Sequence, residues 1–472
     1  MKRTLLALAL TASLGANAHA APPSPQSRVD QLEARLKALE ADVAAMHKQA
    51  ADATAALEAT RAQLEAMKSS GSGDASGVAA QNSVAAENDV AATPDGAGSG
   101  AASVAADGSG APAGSVGPNA FNPAISIILN GSYSSHSLDP DAYQRSGFPL
   151  VGEGRPSAKG ISLGESEISL ASNIDEKFYG QLTLAIGSQG SSTELGVEEA
   201  FIDTTALPAG FTLRAGRFFS NIGYLNSHHA HTDKFFDRPL PYQAFLGNQY
   251  GDDGVQLRWV APTSLFVEVG GEIFRGENFP SGGAGHAGAG VKTLFAHLGG
   301  DVGTESSWLA GVSMLKSRTE AADDGFSGDN TLYVADATWK WAPEGNFKDG
   351  GITVRGEYFL DDRNGQFSDP ADPSLDQPWN GMRRGAYVEG VYRINRNWET
   401  GYRYDRLWAA DSGPYASSYD PVRHSVMLTW LNSEFSLFRL QYSHDQPNPD
   451  DTDNALTLQY QVSLGAHGAH KF

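Results

Sequence analysis

A chain of 472 residues with a formal net charge of −21 is not a general nucleic-acid binder, which would be basic. It has no cysteine, which excludes disulfide frameworks and thiolate metal sites. Past the N-terminus no apolar run reaches the ~20 residues of a membrane-spanning helix, so any crossing of a bilayer must be made by strands.

Residues 1–20 read as a secretion signal, with Lys2 and Arg3 before the apolar Leu5–Leu10 and Ala18-His19-Ala20 as a cleavage site. Residues 28–68 then keep an unbroken heptad spacing. Val29, Leu36, Val43, Ala50, Leu57 and Leu64 occupy a positions, and Leu32, Leu39, Met46, Ala53, Thr60 and Met67 occupy d positions. That is the seam of a self-associating coiled coil roughly 60 Å long at ~1.5 Å per residue. The mixed a and d residues leave dimer and trimer open. Residues 69–120, with runs such as DGAGSGAAS, lack periodicity and aromatics and form a flexible linker.

From residue 121 to 472 the pattern changes to strands. Sixteen segments between 123–134 and 454–466 alternate apolar and polar residues, at lengths suited to tilted membrane strands of about ten residues. Short connections such as Asn173–Glu176 and Asn432–Ser433 alternate with long ones such as Phe219–Gly251, Arg318–Asp329 and Asp362–Gly381. The expected fold is all-β: a 16-stranded antiparallel transmembrane β-barrel in a bacterial outer membrane, preceded by a periplasmic α-helical coiled coil. Charges fall on the face away from lipid, as the cost of charge in hydrocarbon requires. They place Arg214, Arg258, Glu268, Arg355, Glu357, Arg403, Asp405 and Arg439 in the lumen. After residue 120 there are 26 Lys and Arg against 43 Asp and Glu, net −17, with many acids in loops and many arginines inward. That balance leaves anion or cation preference open.

The longest connection, Phe219–Gly251, carries seven aromatics, too many for a solvated loop, and is expected to fold inward as a constriction. Asp237 or Arg238 would then meet Arg214, Arg258 or Glu268. His228, His229, His231 and Asp233 supply imidazole and carboxylate donors for a weakly held divalent metal of the Zn²⁺ kind, to which His286 could add. The first reading of this cluster is a solvated loop with no ion, and the metal site is its alternative. No other cofactor is expected, and no serine or threonine sits in a nucleophile motif, so an enzyme is not expected.

Three stretches carry a family resemblance. LRAGRF (213–218), FDRPL (236–240) and GDDGVQL (251–257) together resemble the phosphate-selective porin O and P superfamily over roughly 211–260. The resemblance implies a pore loop with an acidic-Arg pair. Asn221-Ile222-Gly223 replaces the family's Pro-Phe-Gly, and Lys234 is the loop's only lysine, so phosphate as solute is not implied. The coiled coil is similar to that of dicarboxylate-type trimeric porins, which implies a homotrimer. The terminal Phe472 resembles the signal read by the barrel-assembly machinery. The reading is passive diffusion of small hydrophilic solutes or ions. A metal-admitting protein, or an envelope tether reaching the cell wall through the coiled coil, are the alternatives.

Overall fold

The computed structural model describes residues 123–465, except 190–191, 284–287, 321 and 370–371. The signal, coiled coil and linker lie outside the described residues, as do His286 and the end of the chain from residue 466. Among the described residues no helix is long and apolar enough to cross a membrane.

The strands run in chain order. The first nine are β1 (Ala124–His136), β2 (Gly160–Leu163), β3 (Ser166–Asn173), β4 (Phe178–Gln189), β5 (Ser192–Thr204), β6 (Phe211–Phe219), β7 (Gly251–Val260), β8 (Phe266–Phe274) and β9 (Val291–Val302). The remainder are β10 (Ser306–Thr319), β11 (Phe326–Trp341), β12 (Gly351–Phe367), β13 (Gln377–Arg393), β14 (Trp398–Trp408), β15 (Val422–Ser433), β16 (Ser436–Gln446) and β17 (Asp453–Gly465). From β3 on, each pairs antiparallel with its chain neighbour. β17 returns to β1, with Ser126 opposite Gly465 and His136 opposite Ala455. The cylinder is closed and has no free edge. β2 and β3 both pair with β1 and fill one position, so the barrel has the sixteen positions the alternation predicts.

Its surface is the inverse of a soluble barrel. Leu129, Leu257, Val426, Leu440 and Leu458 point outward and are exposed, while Gln256, Arg258, Arg439 and Gln459 point inward and are buried. Near the short-turn end a row of stacked rings crosses four strands: Trp398 to Trp430 at 6.3 Å, Trp430 to Phe438 at 5.7 Å and Phe438 to Tyr460 at 4.3 Å. Amphipathic rings in such a row suit a membrane–water interface.

Three features depart from the alternation. First, the strand expected at 161–172 is broken at Gly164-Glu165. The break is patched because Gly164 N donates to Asn130 O (2.9 Å) and Asn130 N donates to Ser166 Oγ (3.1 Å). Second, Thr183 faces Glu199 while Leu184 faces Val197, so Glu198 is the extra residue of a β-bulge on β5. Third, β12 and β13 have 17 residues each, and their ladder continues to Phe367 opposite Gln377. That ladder shrinks the long loop expected at 362–381 to 368–376, and the reach of β10 to Thr319 and of β11 from Phe326 shrinks the one expected at 318–329 to 320–325. Asp362, Arg363 and Asn364 hid this extension, because polar residues on both faces erase the period of two. What holds it is an inner-face cluster. Arg363 pairs with Asp324 (2.5 Å) and Arg383 with Asp361 (2.6 Å), and Trp379 packs edge-on against Phe326 and Phe367.

Candidate functional site

The segment between β6 and β7, residues 220–250, lies against the inward faces of strands all round the barrel. It leaves β6 through Ser220, whose hydroxyl donates to Glu272 of β8 (2.5 Å). Gly223 has φ +65°, and a Cβ there would strike the Glu357 carboxylate and the Tyr242 hydroxyl, so glycine is required where the chain turns inward. Its N–H donates to Ser313 Oγ of β10 (2.9 Å). Glu357 of β12 then gathers the segment. It accepts from Tyr224 N (3.0 Å), from the Tyr242 hydroxyl (2.9 Å) and from the Tyr387 hydroxyl of β13 (2.7 Å). The short helix α1 (Leu240–Phe245) begins with Pro241 in its first turn and is buried on every side. Its Leu240 N donates to Asp405 of β14 (3.2 Å).

Asp237 sits where two arginines converge, with Arg403 at 3.0 Å and Arg423 of β15 at 2.7 Å. Asp405 bridges the same two arginines at 3.0 and 3.5 Å, closing a group of two acids and two bases. Gln441 of β16 donates to Asp237 (2.7 Å). Burial alone would raise the Asp237 carboxyl, but Arg423 and Arg403 hold it down at about 2. Arg238 pairs with Asp233 (2.7 Å) and donates to Leu225 O (2.9 Å). Arg439 donates to Asp233 O (2.7 Å), and Lys234 meets Glu399 at 3.1 Å.

The structure places the expected lumen residues in pairs of their own. Asp237 and Arg238 do not meet Arg214, Arg258 or Glu268. Arg214 is held bidentate by Asp203 (2.8 Å for each bond), Glu268 faces His297 (3.1 Å) with Arg258 at 3.9 Å, and Arg355 pairs with Glu389 (3.1 Å). These groups are buried, whereas Lys234 and Asp237 keep 37% and 26% side-chain exposure and so border the water-accessible interior.

The four expected metal ligands divide. His228 stacks on Tyr224, and its Nδ1 lies 2.8 Å from Tyr224 O. Asp233 is taken by Arg238. His229 and His231 turn instead to the wall formed by β3 and β5. His229 Nε2 lies 2.9 Å from Glu199, and its Nδ1 lies 3.2 Å from both Glu167 and Glu198. His231 Nδ1 lies 2.7 Å from Glu167. Burial would lower the His229 imidazole, but the carboxylates of Glu167, Glu198 and Glu199 together raise it well above its ordinary value. The glutamates were missed in the sequence, although Glu198-Glu199 carried a signal. Two adjacent acids on a strand cannot both avoid lipid unless the strand bulges.

No family model matches the chain, so the resemblance of 211–260 rests on its motifs alone. An uncharacterized protein of Aquifex aeolicus (strain VF5) is 28% identical over 392 residues, covering 75% of this chain and 80% of that one. Among solved structures, the chain is similar to a loop L8 deletion mutant of OmpT, an outer membrane protein of Vibrio cholerae. Identity there is 12% and the TM-score 0.48, over 72% of this chain and 99% of that one. The outer membrane channel DcaP of Acinetobacter baumannii is 13% identical, with a TM-score of 0.46 over 72% and 97%. Salmonella typhi OmpF, in complex with daunomycin, is 11% identical, with a TM-score of 0.48 over 73% and 99%. At these values none of them lends this chain an activity.

Proposed function

We propose that this chain is an outer-membrane porin through which small hydrophilic solutes or ions diffuse passively, with residues 220–250 as its constriction. One observation carries the reading: a closed sixteen-position barrel, apolar outside and charged inside, has a segment of its own chain bonded across the interior. An apolar outer surface on a closed sheet satisfies every backbone group without water, which is what hydrocarbon demands. Charged groups on the inner face have water or each other as partners, and the lumen is polar. Solutes pass by diffusion, because this geometry supports selection by size and charge at Lys234 and Asp237. Purified full-length protein in a planar bilayer should give stepwise current increments, and a reversal potential in a KCl gradient would then set the sign of its preference. Folded, inserted protein that passes no current would sink the reading.

A further inference from the structure

We propose that Glu167, Glu198, His229 and His231 form a binding site for a divalent transition-metal ion of the Zn²⁺ class, with Glu199 orienting His229. The four side chains come from β3, from the bulge of β5 and from the inward segment, so the barrel and its inner segment meet there.

The first argument is unmet bonding. His229 Nδ1, Glu167 Oε2 and Glu198 Oε2 are all buried and make no hydrogen bond, yet Nδ1 lies 3.2 Å from each oxygen. Nε2 of the same ring faces Glu199 at 2.9 Å, and with a hydrogen on Nε2 the neutral ring aims the lone pair of Nδ1 at two carboxylate oxygens that also carry lone pairs. Those three atoms call for a cation between them, either a second proton on Nδ1 or a metal ion. A proton on Nδ1 is badly aimed at both oxygens and can serve only one. A metal ion serves all three.

The second argument is the donor set. A histidine that gives one ring nitrogen to metal and the other N–H to a carboxylate is the usual outer-shell arrangement of a metal-bound imidazole, and Glu199 fills that role here. Two imidazoles with two carboxylates suit Zn²⁺ and its neighbours rather than Ca²⁺ or Mg²⁺, which take oxygen ligands. Ligand atoms about a tetrahedral ion with bonds of ~2.0–2.1 Å lie roughly 3.3 Å apart. The two 3.2 Å separations at Nδ1 already match this. The 2.7 Å contact of His231 with Glu167 lengthens as a metal replaces its shared hydrogen. The donor atoms of Glu167, His229 and His231 all lie within 4.8 Å of one another, and those of Glu165, Glu167 and Glu198 form a second such group that shares Glu167. The acids outnumber the imidazoles, so a double positive charge offsets a surplus. His229 and His231 keep 17% and 13% exposure, which gives an ion a way in.

The site does not depend on the porin reading, and its test needs no current. Full-length protein in detergent, with His286, His467 and His470 replaced by alanine to remove three of the other imidazoles, is titrated with Zn²⁺ at pH 7.5 by calorimetry. One ion per chain should bind, and the added pair H229A/H231A should weaken it at least about tenfold. E198Q should weaken it too, and serves if the histidine pair fails to fold. Crystals soaked in Zn²⁺ should show anomalous density between Glu167, Glu198, His229 and His231. Equal titration of the parent, the histidine pair and E198Q, or a parent that binds no ion, would overturn the proposal. So would density that falls elsewhere and leaves these four side chains bare.

Discussion

The two walls that hold the inward segment solve the same electrostatic problem in opposite ways. On β14 and β15, Arg403 and Arg423 meet Asp237 and Asp405 in equal number, each acid touching both bases. On β3 and β5, Glu167, Glu198 and Glu199 surround His229 and His231, with Glu165 close by; Glu167 pairs with both histidines and Glu198 with His229. The first wall is complete as it stands. Among the described residues, the group formed by Glu165, Glu167, Glu198, His229 and His231 has more acids than imidazoles, a surplus that a proton or a cation can balance. Buried pairs tolerate loss of one partner badly, whereas a like-charged group is relieved by losing a member.

Variants on the two walls should therefore move stability in opposite directions. R403A leaves Asp405 only the longer contact with Arg423, weakens the hold on Asp237, and should cost about 3 kcal/mol in urea unfolding from lipid vesicles. A cost below about 1 kcal/mol would show that the balanced wall is not cohesive. D237N keeps the shape and removes the charge, and should cost about 1–2 kcal/mol at pH 7. Because the folded carboxyl is depressed from 3.8 to about 2, its contribution is whole above 3.8 and is lost as pH falls through about 2. The gap between wild type and D237N should close over that interval and stay constant from pH 5 to 8. E198Q, on the other wall, should change stability by less than about 1 kcal/mol in chelator, and upward if at all. If E198Q costs as much as D237N, the surplus of negative charge is not real.

The barrel was legible because lipid and lumen impose a strict alternation. Arg355, Glu357, Arg403, Asp405 and Arg439 could be put on the inner face from their neighbours alone, as in Val354-Arg355-Gly356-Glu357-Tyr358. Their partners were not legible, because pairing depends on how strands stagger and on where residues 220–250 cross. Arg423 was overlooked for that reason, though it grips Asp237 more closely than Arg403 does. The acidic wall was hidden by two irregularities, the break at Gly164-Glu165 and the bulge at Glu198. Each shifts the period by a residue and returns a side chain to the inner face that a strict count sends outward.

The attachment of residues 220–250 has a mechanical consequence. Bonds reach it from β3, β5, β8, β10, β12, β14, β15, β16 and β17, much as spokes meet a hub from every side of a rim. A hub braced in this way cannot swing like a door hinged at one edge. Any excursion must break contacts on one side without gaining them on the other. The aperture should hold one diameter, and the recorded current should be quiet, with a single open level and little flicker.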